Sequence, residues 1–215
     1  MFGMNKYLGN RSREKGFTLV EMAIVLVIIG LIIAAVSIGK DAQRNAEYKK
    51  IMNKFVFGWK EAYNQYYERV GYVCHDSGGA NAATGNIATA DNPMLNTSCG
   101  TPTLDGAGVK VPAGTEAGNN YEAIYQYWDQ SGNGHRLQLT FINPGTSTTG
   151  TALVGNVMQI NDITLRLAQM IDLAVDGKAS AAEGLFRCSQ ETNVVSADEV
   201  VEDAASMTCD WKMDN

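Results

Sequence analysis

The apolar run from Phe17 to Ile38 contains one strongly polar side chain, Glu21, and no other feature limits so severely what this chain can fold into. Twenty-two residues rising ~1.5 Å each span roughly 33 Å, enough to cross the hydrocarbon core of a bilayer. The run therefore reads as a membrane helix. A carboxylate inside such a helix costs at least ~2.5 kcal/mol at its centre and marks a functional site whose partner has to be named. Glu21 calls for a cation.

Lys6, Arg11, Arg13 and Lys15 precede the run against a single Glu14, a bias that holds this end in the cytoplasm and sends the C-terminal side across the membrane. A secretory signal peptide has the same order of charge and apolarity and is cut after its apolar region, for which Ala35-Val36-Ser37 is a passable site. The competing cut falls before the run, after Gly16. It leaves the helix on the mature chain with Phe17 as the new N-terminus, and a fresh α-amine is a cation that a carboxylate four residues away can neutralise, on its own chain or a neighbouring one.

The basic residues, Gly16, Phe17-Thr18-Leu19, Glu21 and the uninterrupted apolar helix resemble the class III leader of type IV prepilins and of type II secretion pseudopilins. The resemblance is tight over about residues 11–40 and looser beyond. It implies that a prepilin peptidase removes residues 1–16 by cutting between Gly16 and Phe17, and that Phe17 is N-methylated. It also implies that Glu21 pairs with a neighbouring subunit's terminal amine during assembly. The expected partners are that peptidase, membrane lipid, an inner-membrane assembly platform, and copies of the chain or related pilins. The expected location is the inner membrane, single-pass with a cytoplasmic N-terminus, and then a periplasmic or cell-surface filament.

The helical pattern outlasts the membrane segment. Ile51, Phe55, Trp59, Ala62, Tyr66 and Val70 recur at spacings of four and three, and Lys49, Lys50, Lys54, Lys60, Glu61, Glu68 and Arg69 fill the other face. One helix from Phe17 to Val70 is predicted, roughly 80 Å long, with residues 17–38 as the transmembrane and assembly half and 39–70 as an amphipathic continuation. Many type IVa major pilins carry a proline about where Ile38 stands. Here Gly30 and Gly39 are the weak points, and glycine costs a helix only about 1 kcal/mol against ~3 for proline. Tyr63, Tyr66, Tyr67 and Tyr72 suggest a stacking surface, but at helical spacing the plainer reading is packing against a sheet.

Residues 71–215 suffice for one extracytoplasmic head. Gly, Ala, Asn and Thr dominate 76–120, which reads as a long loop. Tyr121 to Trp128 and Arg136 to Phe141 alternate around Ser131-Gly132-Asn133-Gly134 and predict a hairpin. Leu153 to Ile160 reads as a third strand, Asn161 as the N-cap of a helix closed by Asp176-Gly177, and Gly184 to Cys188 as another strand. Ser196 and Glu199 have capping-box spacing, which predicts a short helix over 197–206. The fold class expected is α+β and type IV pilin-like, a long N-terminal helical spine against an antiparallel sheet.

All four cysteines, Cys74, Cys99, Cys188 and Cys209, fall in the exported part, where disulfides persist. Two bridges allow three connectivities. A Cys74–Cys99 bridge staples the first half of the long loop, and a Cys188–Cys209 bridge gives the disulfide-bounded C-terminal loop that the resemblance implies. Inside that loop Glu191, Asp198, Glu199, Glu202 and Asp203 meet no basic residue. Clustered oxygens of this kind suit calcium, as in major pseudopilins, but no Asp-x-Asp-x-Asp loop is present and a solvated acidic helix is the plainer reading. No metal site or cofactor is otherwise expected.

Removing residues 1–16 leaves 17 − 4 = 13 basic and 23 − 1 = 22 acidic residues, a net charge of −9. An acidic chain does not favour nucleic-acid binding, which needs clustered Lys and Arg to displace counterions. Catalytic signals are poor. Cys74 beside His75 is better explained by a disulfide, and His135 reads as a surface residue after a Gly-rich turn. Gly106-Ala107-Gly108 lacks the strand-before, helix-after context of a dinucleotide loop, and Asn96-Thr97-Ser98 is a formal glycosylation acceptor. A structural filament subunit is the leading reading, as a major or minor pilin or alternatively as a pseudopilin. A binding module on an uncleaved anchor and a secreted enzyme are the competitors.

Overall fold

The computed structural model describes residues 16–76, 83–87, 99, 102–116, 123–129, 131–144, 153–180, 182–189 and 206–213. Two units emerge, one ending at Gln43 and the other beginning at Arg44. In the first, helix α1 (Leu19–Lys50) begins just after Thr18, and every residue from Gly16 to Gln43 is exposed. Helical residues then continue without a break to Val70.

Burial starts in the second unit at Tyr48. There α1 passes into a π-helical segment, Ile51–Val56, and then into α2, Phe57–Val70. The change of winding goes with the burial pattern. Ile51, Phe55 and Trp59 are each four residues apart, and in an α-helix every such step overshoots a full turn by about 40°. The slower winding of π turns keeps all three on the buried side. Gly58 lies against Pro112, whose ring leaves no room for a side chain there. The helix ends at Gly71, whose φ of 84° is the left-handed geometry of a glycine C-cap and whose N–H reaches the Tyr67 carbonyl at 2.8 Å.

The sheet is antiparallel with strand order β1-β2-β3-β5-β4: β1 Ile124–Trp128, β2 Gly134–Ile142, β3 Val157–Thr164, β4 Phe186–Cys188 and β5 Ser206–Lys212. Its register lines up apolar partners: Tyr125 with Leu137, Leu139 with Ile160, Phe141 with Met158, and Trp211 with both Met158 and Phe186. All of these are buried. The period-2 pattern thus becomes one continuous inward face. Aromatic rings from the helices close over it, Tyr48 on Tyr127, Phe55 on Tyr125, Trp59 and Tyr63 on Phe141, and Phe57 on Trp211. The fold is α+β, a long N-terminal helix with an antiparallel sheet, in agreement with a pilin-like architecture.

Several expected boundaries move. The third strand starts at Val157 instead of Leu153 and runs on through Thr164, so Asn161 is a strand residue and not a helix cap. Asn161 pairs with Gln138 of β2 and accepts a hydrogen bond from Thr208 of β5 at 3.0 Å. Tertiary pairing on both sides overrides its capping preference. Thr164 precedes α3, Leu165–Asp176, which ends at left-handed Gly177. Of the helix expected over 197–206, residues 197–205 lie outside the described residues, and Ser206 opens β5, a strand not foreseen. Tyr121, the acidic run between Glu191 and Asp203, and Asn96-Thr97-Ser98 also lie outside the described residues.

Cys74 is bonded to Cys99 and Cys188 to Cys209. The second bridge joins directly opposite residues of β4 and β5.

Candidate functional site

The start of α1 carries the candidate site. Thr18 donates its backbone N–H and its hydroxyl to Glu21 Oε2, at 2.8 and 2.9 Å, and the Glu21 N–H reaches back to Thr18 Oγ1 at 3.2 Å. This is a capping box. Thr18 is the cap and Glu21, three residues on, closes it, satisfying backbone donors that a helix N-terminus leaves without intrahelical partners. The Thr-x-x-Glu spacing is visible in the sequence, but the membrane context drew attention to Glu21 alone and left Thr18 without a role.

The box changes the problem posed by Glu21. In the single chain its carboxylate already has polar partners and sits in the first turn, where the helix dipole favours negative charge. Both bonds converge on Oε2, so Oε1 accepts no hydrogen bond among the described residues. The carboxylate can hold the helix terminus with one oxygen and present the other to an external cation. Around it Phe17, Leu19, Val20, Ile24, Val27 and Ile28 are exposed, an apolar surface that water alone would not stabilise. Gly16 and Phe17 lie just before the box, on non-helical backbone.

The other sequence candidates turn out to be structural. Cys74 is consumed by its bridge. The Gly106-Ala107-Gly108 segment receives the Arg69 guanidinium on its Ala107 and Gly108 carbonyls, at 3.1 and 2.5 Å, so it tethers α2 to its neighbouring loop. Tyr66 donates to the Cys99 and Pro102 carbonyls, and Tyr63 is buried on Phe141. Among the described residues no three His, Cys, Asp or Glu side chains are arranged to hold a metal ion.

His135 is the clear correction. It is 8% exposed, not a surface residue, and stacks on Tyr127 with ring centroids 5.3 Å apart. Its Nε2 lies 3.3 Å from Asp129 and its Nδ1 3.2 Å from Asp162. Asp162 sits with φ 57° at the irregularity of β3, an unusual geometry for a non-glycine residue that re-aims its side chain toward β2. Burial pushes the Asp129 carboxyl up, but hydrogen bonds from the Asn133 side chain and backbone and from His135 outweigh that, leaving it below the usual carboxylate range. The cluster ties the β1–β2 turn to β3. No motif spacing announces it, because Asp129, His135 and Asp162 meet only through sheet register.

The chain has an apolar N-terminal helix long enough to cross a membrane, capped by a threonine and a glutamate and followed by an α+β head, an arrangement that fits a membrane-anchored precursor. A family model for the prokaryotic N-terminal methylation motif matches residues 11–37. That match supports a type IV pilin- or pseudopilin-like prepilin. No curated protein and no solved structure matches the chain.

Proposed function

We propose that this chain is a structural subunit of a type IV filament, a major or minor pilin, released for assembly by cleavage between Gly16 and Phe17 and N-methylation of Phe17. The observation that carries the reading is the divided use of Glu21, with Oε2 engaged by Thr18 and Oε1 without a hydrogen bond among the described residues, on an apolar helical stretch exposed as far as Gln43. Packing such helices together removes their apolar surface from lipid and water. It would also strand the carboxylate at a cost of several kcal/mol unless a cation meets it. On the mature helix the first basic side chain is Lys40, nineteen residues further on or about 29 Å. The nearer cation is the terminal amine of Phe17 on an adjacent subunit, and pairing with it sets the axial register of each incoming chain.

Glutamine at position 21 separates the two roles, because Gln closes a capping box as Glu does but carries no charge. With equal amounts of processed protein in the membrane, Glu21→Gln and Glu21→Ala are both expected to fall at least about tenfold in sheared surface filaments or crosslinked periplasmic assemblies. That corresponds to the loss of one desolvated ion pair. Wild-type incorporation of Glu21→Gln would reduce Glu21 to a helix cap and remove it from assembly.

A further inference from the structure

Helix α3 carries two carboxylates one turn apart, Asp172 and Asp176, and both face the connection that leads from α3 to β4. Asp172 is only 3% exposed and lies among the buried residues of the helix with Leu165, Ala168 and Ile171. Its Oδ2 accepts the Ser180 N–H at 2.5 Å. Its Oδ1 is buried and has no hydrogen-bond partner among the described residues. Asp176 accepts the Leu185 N–H at 3.1 and 2.9 Å and the Phe186 N–H at 3.0 Å. Gly184, at φ 92°, passes so close to Asp176 that no side chain would fit. The two aspartates thus grip the near and far limbs of the connection, and the far limb is the start of β4, which ends in the bridged Cys188.

A buried carboxylate oxygen without a donor is costly, and two carboxylates in one site cannot both ionise cheaply. One proton resolves both difficulties. It gives Asp172 Oδ1 a donor to share with Asp176 and removes the like-charge repulsion. We propose that Asp172 and Asp176 hold a single proton between them, and that this proton latches the α3–β4 connection in acid and releases it toward neutral pH.

The electrostatic surroundings agree. Burial pushes the Asp172 carboxyl up to about 6. The Ser180 N–H opposes that shift, and the charge of Asp176 adds to it. Helix α3 packs on the π segment, β3, β4 and β5. The charged residues of those elements are Lys54, Asp162, Arg187, Asp210 and Lys212. Arg166 lies on α3 itself, and Lys178 and Glu183 lie in the connection. Among all of these, Asp176 is the group whose charge acts on Asp172. Arg166 is turned to Asn45, and Arg187 to the Gly184 carbonyl. Because the folded-state value lies above the unfolded one near 3.8, the stabilisation is complete below that unfolded value and is lost as pH rises through about 6.

The test is hydrogen exchange on the full chain in detergent, read on peptides covering 177–188 and corrected for the intrinsic pH dependence of exchange. Peptides from β2 serve as the internal reference. In the wild type, protection of the connection is expected to fall on the order of tenfold between pH about 5 and about 7.5, while β2 stays constant. Asp172→Asn keeps an acceptor for Ser180 and offers Asp176 a permanent N–H donor, so its connection is expected to stay protected across the range. If that variant does not fold, Asp176→Asn takes its place with the same expectation. A pH-independent wild type, or an equal fall in the asparagine variant, overturns the proposal. So does recovery of wild-type protection at neutral pH on adding calcium, which would make the occupant a metal ion and not a proton.

Discussion

Residues 16–43 and the unit that begins at Arg44 are built from the same kinds of apolar side chain and put them in opposite places. In the first every side chain is exposed, whereas in the second Ile51, Phe55, Trp59 and the inward rows of five strands are sealed from water. Their polar groups differ in the same way. Asp129, His135 and Asp172 are buried and hydrogen-bonded to other parts of the head, while Glu21 is exposed and bonded to Thr18, three residues before it. The head buries its apolar rows within the single chain, and the N-terminal helix leaves its own exposed.

That contrast predicts sharply unequal responses to truncation. Trp59 is 0% exposed and packs on Phe141, so Trp59→Ala is expected to cost the head about 3–5 kcal/mol in denaturant unfolding of the full chain in detergent. Ile29, 46% exposed, lies outside the buried core of the head, and Ile29→Ala is expected to leave that unfolding transition within about 0.5 kcal/mol of wild type. A comparable loss from both would show that the helix is already packed within one chain.

The disulfides sharpen the same division with a smaller effect. Cys188 and Cys209 are separated by 21 residues, and removing such a closure through Cys188→Ser with Cys209→Ser should cost about 2–4 kcal/mol. The denaturant midpoint of the head should move, and the helicity that remains after the head unfolds should not. A lost helix signal would mean that the head templates the membrane half.

Legibility in the sequence also divides along this boundary. A long uninterrupted apolar run without proline favours a helix, so the helix that starts at Leu19 could be read directly, and the 3.6-residue stripe from Ile51 to Val70 nearly so. The π segment escaped because spacings of four fit either winding until burial decides between them. In the head, alternation located β1 and β2, but the ends of β3 depend on Asn161 and Ile163 finding partners in β2 and β5, which local preference does not encode. The alternation of Met207, Cys209, Trp211 and Met213 is a strand signal in plain view, outweighed by the capping-box spacing just upstream. Thr18 was legible as a cap. His135 was not, since its two carboxylates come from positions 129 and 162 and meet only in the folded sheet.

The central claim, that the exposed helix belongs to a processed filament subunit, is tested most directly by the intact mass of the protein recovered from the envelope of cells that express it. The account predicts a chain that begins at Phe17 and carries one added methyl group. A chain that retains residues 1–16, or one that begins near Lys40 without the apolar helix, would contradict it.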